Sequence, residues 1–206
     1  MIIGITGGIG SGKSVIARQL RQMGYSVYDT DSEAKRIIVE DATVREQMTA
    51  LFGEEVYKDG VYQTSFVAQQ VFADKNLLAK LNAIVHPAVK QDIITKFRSL
   101  GVLSEPSAPS EPLNSHPRGL FFIECAILFQ AGFDVLCDKV VAVTAPEDIR
   151  LERVIARDHS DMNKVRARMR AQEADKDLAR ADIVINNDST TPIPTLCEEI
   201  IHLLTK

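Results

Sequence analysis

The chain opens on Met1-Ile2-Ile3-Gly4-Ile5-Thr6, an unbroken apolar, β-branched run of the kind expected for a strand buried on both faces. A glycine-rich stretch follows. Val15, Ile16, Leu20 and Met23 then recur at helical spacing, and Gly24 suits the C′ position beyond that helix. A second apolar strand at 25–28 ends in Asp29-Thr30-Asp31. From about residue 41 to 100 the periodicity is mostly helical, and Leu77, Leu78, Leu81, Ile84 and Val85 form an apolar stripe that predicts a core face. Pro87 interrupts this stretch; it disfavours a helical His86 and predicts that a new helix starts there. Strand patterns return at 119–125, with Glu124 near the end, and again at 139–144 and 181–185. Thr144 and Glu147 have capping-box spacing, which predicts Thr144 as the N-cap of a helix carrying Arg150, Arg153 and Arg157. Leu196, Ile200, Ile201 and Leu204 predict a closing amphipathic helix.

The glycine-rich stretch carries the chemistry. Residues 7–14 read Gly7-Gly8-Ile9-Gly10-Ser11-Gly12-Lys13-Ser14, a full match to G-x-x-x-x-G-K-[ST] between a strand and a helix. A triphosphate needs N–H donors at close range, and side chains beyond Cα would hold it away. The helix that begins here offers unpaired N–H groups and a partial positive end. Lys13 supplies a full charge to the β/γ oxygens, and Ser14 Oγ is suited to ligate Mg²⁺. The expected nucleotide contacts are therefore Gly7 through Val15. At Asp29-Thr30-Asp31 the carboxylates lie past the carboxyl end of a strand, where ligands gather in parallel α/β sheets. Asp31, the farther of the two, is the candidate to accept the proton of an attacking hydroxyl, and the competing reading makes either Asp a helix N-cap.

Composition narrows the class. A chain of 206 residues supports one substantial core with a smaller insert. A net charge of -4 and a sequence pI near 5.6 argue against a nucleic-acid partner. Yet seven of the thirteen arginines fall between Arg150 and Arg180, a candidate phosphate site. Arg153 and Arg157 are the foremost candidates, with Arg168 behind them, on a lid that would exclude water from the γ-phosphate. Cys125, Cys137 and Cys197 have no close spacing, which favours buried free thiols and a reducing cytosol. The opening apolar run is too short for a signal peptide, and no stretch approaches a membrane span, so a cytoplasmic protein without a membrane partner is expected. Residues 104–118 hold four of the eight prolines and predict a mobile loop to which no function is assigned.

Taken in order, Gly7 to Ser14, Asp29-Thr30-Asp31, His86-Pro87-Ala88-Val89, Ile127-Leu128-Phe129, Arg157-Asp158, Arg168-x-x-x-Gln172 and Ala181-Asp182-Ile183-Val184-Ile185-x-Asn187 resemble the dephospho-CoA kinase pattern over nearly the whole chain. The resemblance implies transfer of the ATP γ-phosphate to the ribose 3′-hydroxyl of dephospho-CoA, with ATP and Mg²⁺ required. It implies an acceptor-binding role for the helical insert, His86 near the CoA moiety, and Asn187 beside the adenine. Glu124, at its strand end, is placed either as an acceptor-site carboxylate or as one that supports another site residue from behind. The chain departs from the pattern at Tyr62-Gln63, where Asp-Arg is common. It departs also at Ala126-Ile127-Leu128-Phe129-Gln130, against Pro-Leu-Leu-Phe-Glu, and at Ser189, where the family has glycine.

The expected fold is α/β: a P-loop NTPase-like parallel sheet of five strands with helices on both faces. The nucleotide-binding core would span about 1–40, 117–150 and 178–206, the insert about 41–103 and the lid about 150–175, in a monomer or weak homo-oligomer. Another small-metabolite or nucleoside monophosphate kinase, and a nucleotide-dependent regulatory ATPase, are the alternatives. The absence of N-K-x-D weighs against a GTPase.

Overall fold

A computed structural model of the chain describes residues 1–102, 119–159, 161–171 and 178–206; the expected loop at 104–118 and Gln172 lie outside the described residues. In chain order the elements are β1 (Ile2–Thr6), α1 (Lys13–Gln22), β2 (Ser26–Asp29), α2 (Thr30–Glu40), α3 (Ala42–Phe52), β3 (Tyr57–Lys58), β4 (Val61–Tyr62), α4 (Thr64–Ala73) and α5 (Lys75–Ser99). After these come β5 (Phe121–Glu124), β6 (Lys139–Thr144), α6 (Glu147–Asp158), α7 (Met162–Ala171), β7 (Ile183–Asn186) and α8 (Ile193–Leu204). Two compact units divide the chain, Met1–Tyr28 with Glu111–Lys206, and Asp29–Ser110.

The first unit is a five-stranded sheet ordered β2-β5-β1-β6-β7. β1 pairs in parallel with β5 and β6, and β6 with β7. Every residue of β1 is buried, as its unbroken apolar run requires. Ile3 and Ile5 point into a core shared with Ile16 and Leu20 of α1 and Leu196, Ile200 and Leu204 of α8. On the other face, a Cβ at Gly4 would come within 2.6 Å of Leu128 Cδ2 and 3.1 Å of Cys137 Sγ. Helix α1 ends as expected at Gly24: its N–H donates to Arg21 O (3.0 Å) and Tyr25 N–H to Leu20 O (3.0 Å), the paired closure of a Schellman motif.

The expected capping box is not used. Thr144 is the last residue of β6, Pro146 is the N-cap of α6, and no side chain caps the helix. The ladder claims Thr144, whose carbonyl accepts from Asn187 N–H at 2.7 Å.

The second unit is built on α5, against which α2, α3 and α4 each pack. Here the sequence expectation of a break fails, because α5 runs from Lys75 to Ser99 with Pro87 inside it. Proline forfeits a helical hydrogen bond, at a cost of about 3 kcal/mol. Val85, Val89, Ile93 and Phe97 straddle Pro87 and are all buried, each contributing roughly 1.5–3 kcal/mol. Packing wins. The predicted stripe is corrected too: of its five members only Val85 is buried, and Leu78 is 41% exposed. Arg36 braces α2 to α5 by reaching Glu33 (2.6 Å), Glu40 (3.3 Å) and Asp92 (2.7 Å), while Lys96 reaches Glu33 (3.1 Å). Arg36, then Lys96, hold the Glu33 carboxyl below its usual range. Among the described residues, no helix is long and apolar enough to cross a membrane.

Candidate active site

The loop from Gly7 to Ser14 leaves β1 at its carboxyl end and runs into α1. A hydrogen bond from Ser11 N–H to Gly8 O (3.1 Å) closes its turn. Gly12 is the N-cap of α1, and no side chain caps this helix, so its leading amides stay available to an anion. Lys13 is half-buried and makes no ion pair among the described residues. Three of the loop glycines have no substitute, and at Gly7 (φ 151) a Cβ would overlap the carbonyl oxygen of Val143. Gly10 (φ 80) lies so close to the backbone of Arg150 that a Cβ would overlap its carbonyl oxygen and sit 2.9 Å from its Cα. A Cβ on Gly12 (φ 93) would overlap the side-chain amide of Asn187.

Asn187 follows β7 and is only 2% exposed. Its Nδ2 donates to Ser11 O at 2.9 Å, which fastens the phosphate loop to the next-but-one strand. Arg153, on α6, reaches the same place from the other side. Its Nη1 donates to Gly10 O (3.3 Å) and Ser11 O (3.4 Å). Its Nη2 donates to Asn187 O (3.0 Å), Asn187 Oδ1 (3.4 Å) and Ser189 Oγ (2.7 Å). A cavity of about 370 Å³ opens beside this clamp, lined by Gly12, Val15, Arg153, Asn187, Ser189, Thr191, Pro192 and Ile193.

At the head of α1, Ser14 Oγ donates to Glu124 Oε1 at 2.7 Å. Glu124 ends β5 and is 5% exposed. Its carboxylate therefore belongs with the serine expected to ligate a metal. No group of three His, Cys, Asp or Glu is arranged for a metal among the described residues. The oxygen pair of Ser14 and Glu124 suits a hard cation that takes its other ligands from phosphate and water.

The helices α6 and α7 pack through Leu151, Val154 and Val165, and Ile9 of the phosphate loop packs against that cluster. Ile9 thus secures α6 and brings Arg153 to the loop. Arg157 and Arg168 meet elsewhere, on one carboxylate. Arg157 donates to Asp158 through Nε (2.6 Å) and Nη2 (3.0 Å), and Arg168 Nη2 donates to Asp158 Oδ2 (3.4 Å). Arg157 foremost, with Arg168, holds the Asp158 carboxyl below its usual range. Both arginines remain largely exposed, at 64% and 47%.

In the second unit the two aspartates divide their roles. Asp29 is the N-cap of α2, accepting from Asp31 N–H and Ser32 N–H at 3.1 Å each and from Ser32 Oγ at 3.0 Å. That leaves the exposed Asp31 carboxylate without a hydrogen bond among the described residues. His86 is half-buried within α5, and burial pushes its imidazole below the usual value. Tyr62 closes a hairpin against Tyr57, ring centroids 5.7 Å apart, and Gln63 folds back on Val61 O (2.8 Å), so positions 62 and 63 bring no charge of their own, while Arg45 lies 4.1 Å over the Tyr57 ring. Sequence reasoning missed this hairpin although Asp59-Gly60, between Tyr57-Lys58 and Val61-Tyr62, signals it. It also missed Asp158 and Ser189 as partners of the lid arginines, although Asp158 adjoins Arg157 in the Arg157-Asp158 motif and Ser189 stands where the family has glycine.

A family model described as dephospho-CoA kinase matches residues 1–192. A dephospho-CoA kinase of Porphyromonas gingivalis is 43% identical over 179 residues, covering 87% of this chain and 81% of the relative. That of Bacteroides fragilis is 37% identical over 208 residues, covering 99% and 93%. A crystal structure of a Thermus thermophilus protein is similar with a TM-score of 0.77 and 32% identity, across 100% of this chain and 96% of that one.

Proposed function

The chain belongs to the dephospho-CoA kinase family, and from that premise we propose how its residues divide the reaction. It moves the γ-phosphate of ATP to the 3′-hydroxyl of dephospho-CoA, giving coenzyme A and ADP in the last step of CoA biosynthesis. The observation that carries our assignment is Lys13, without an ion pair among the described residues, at the head of an uncapped helix next to the Ser14–Glu124 pair.

The amides of Gly8 to Ser14 hold the β-phosphate, and Lys13 bridges the β and γ oxygens. A magnesium ion would be held by Ser14 Oγ and phosphate oxygens with Glu124 behind the serine, and when bound it neutralises charge on the transferring group. The adenine enters the cavity beside Arg153, with Val15 and Ile193 as apolar walls. Asn187, whose amide is committed to Ser11 O, shapes that cavity and keeps the loop in place rather than reading the base. Arg157 and Arg168 turn from Asp158 to the γ-phosphate, exchanging one anion for another of higher charge. Asp31 orients the acceptor hydroxyl and takes its proton; its freedom from capping supports this. His86 contributes to the acceptor's surroundings within the helical unit. The three cysteines are free, which supports a reducing, cytoplasmic setting.

An ADP-release assay with dephospho-CoA tests the assignment. Lys13→Ala is expected to lower turnover by about 10²–10³, with near-normal activity removing the site. Asp31→Asn is expected to depress kcat while the Kd for ATP stays put, and an effect on ATP affinity alone would move Asp31 out of the acceptor's side.

A further inference from the structure

Ser189 has φ 72, one of three non-glycine residues with positive φ among those described. The other two have local reasons: Asp59 is in a hairpin turn and His159 is the C-cap of α6. Around Ser189 the chain is wound by Asp188, whose carboxylate accepts from Thr190 N–H (2.9 Å), Thr190 Oγ1 (2.6 Å) and Asn186 Nδ2 (3.0 Å). That turn needs a left-handed residue, and glycine would supply it without steric cost. Here a serine takes the strained position, and its hydroxyl accepts from Arg153 Nη2 at 2.7 Å. The other four contacts of that guanidinium run from 3.0 to 3.4 Å.

We propose that Ser189 is a positioning residue for the nucleotide site: its hydroxyl, carried on a left-handed backbone, fixes the Arg153 guanidinium at the wall of the cavity that takes the adenine. This rests on the nucleotide reading of that cavity given above. Arginine is long and rich in rotamers, so an untethered Arg153 would have to be ordered each time ATP binds. The short bond to Ser189 orders it beforehand, while its other edge is already on the carbonyls of Gly10 and Ser11. Backbone strain persists where the surroundings over-determine it, and such places cluster at binding sites. The strain is confined to one exposed residue.

The test compares Ser189→Gly and Ser189→Ala, each alone and combined with Arg153→Ala, by steady-state kinetics and thermal melting without nucleotide. Both single variants should raise KM for ATP about three- to tenfold with kcat changed by less than about twofold. Their melting temperatures should part, Ser189→Gly at or above the parent because the strain is relieved and Ser189→Ala at or below it. In the Arg153→Ala background neither should change KM further. An unchanged KM in both single variants would make Ser189 a turn residue only and overturn the proposal. An equal rise in the Arg153→Ala background would mean that the hydroxyl acts on the ligand directly, which also overturns it. Arg153→Ala with the parental KM for ATP would instead remove the nucleotide reading of the cavity, and the proposal with it.

Discussion

Asn187 offers a sharp test of whether the phosphate loop is held by a buried amide. Truncation to alanine deletes the Nδ2 bond to Ser11 O (2.9 Å) and the Oδ1 contact with Arg153 (3.4 Å). The backbone bonds of residue 187, from its N–H to Thr144 O and from Arg153 to its carbonyl, are retained. Ser11 O then keeps only the 3.4 Å contact from Arg153. Losing a buried amide donor and leaving a small void costs about 2 kcal/mol. For a chain of this size that lowers Tm by roughly 4–8 °C. The assay is thermal unfolding without nucleotide, followed by circular dichroism, with Asn187→Asp as a second variant. Aspartate keeps the shape but sets an acceptor against the carbonyl of Ser11, so its loss should exceed that of alanine. A Tm within about 1 °C of the parent, together with a raised KM for ATP, would refute the reasoning and make Asn187 a ligand contact alone.

Glu124→Gln should raise the magnesium concentration for half-maximal activity by about tenfold, with the loss diminishing at high magnesium; an unchanged magnesium titration would detach Glu124 from the metal. His86 predicts a pH effect on stability. Its folded pKa lies below the ordinary 6.5 because burial disfavours the cation. The unfolded chain therefore binds the extra proton first, and stability falls as pH drops below 6.5 until the folded imidazole also titrates. His86→Gln should flatten Tm between pH 7 and the onset of carboxylate titration, and a slope identical to the parent's would discount burial at this position.

The sheet and the phosphate loop were legible because their signals are local. An unbroken apolar run, four glycines and Lys13-Ser14 state both the strand and what leaves its end. Where rival forces meet, local rules lost. Pro87 argued for a break, but buried side chains on both sides of it keep α5 continuous. Thr144 had the spacing of a cap, but strand pairing claimed it. The Arg153 clamp was illegible for another reason: its partners are 34 to 143 positions away in sequence. Charge clustering pointed to phosphate, whereas this arginine spends its donors on carbonyls and a hydroxyl. The preference for Asp31 over Asp29 rested on its place past the strand end, and the cap bonds made by Asp29 supply a physical reason for it.

The cysteines have a practical consequence. Burial pushes Cys137 up to about 12 and Cys197 up to about 11, and Cys125 is 3% exposed. At neutral pH burial thus disfavours the reactive thiolate of Cys137. New cysteines at the exposed Phe72 and Val184, one in each compact unit, would take up maleimide dyes well ahead of the native ones. Dyes at these two positions could then report on each unit separately through a turnover, with every native thiol left in place.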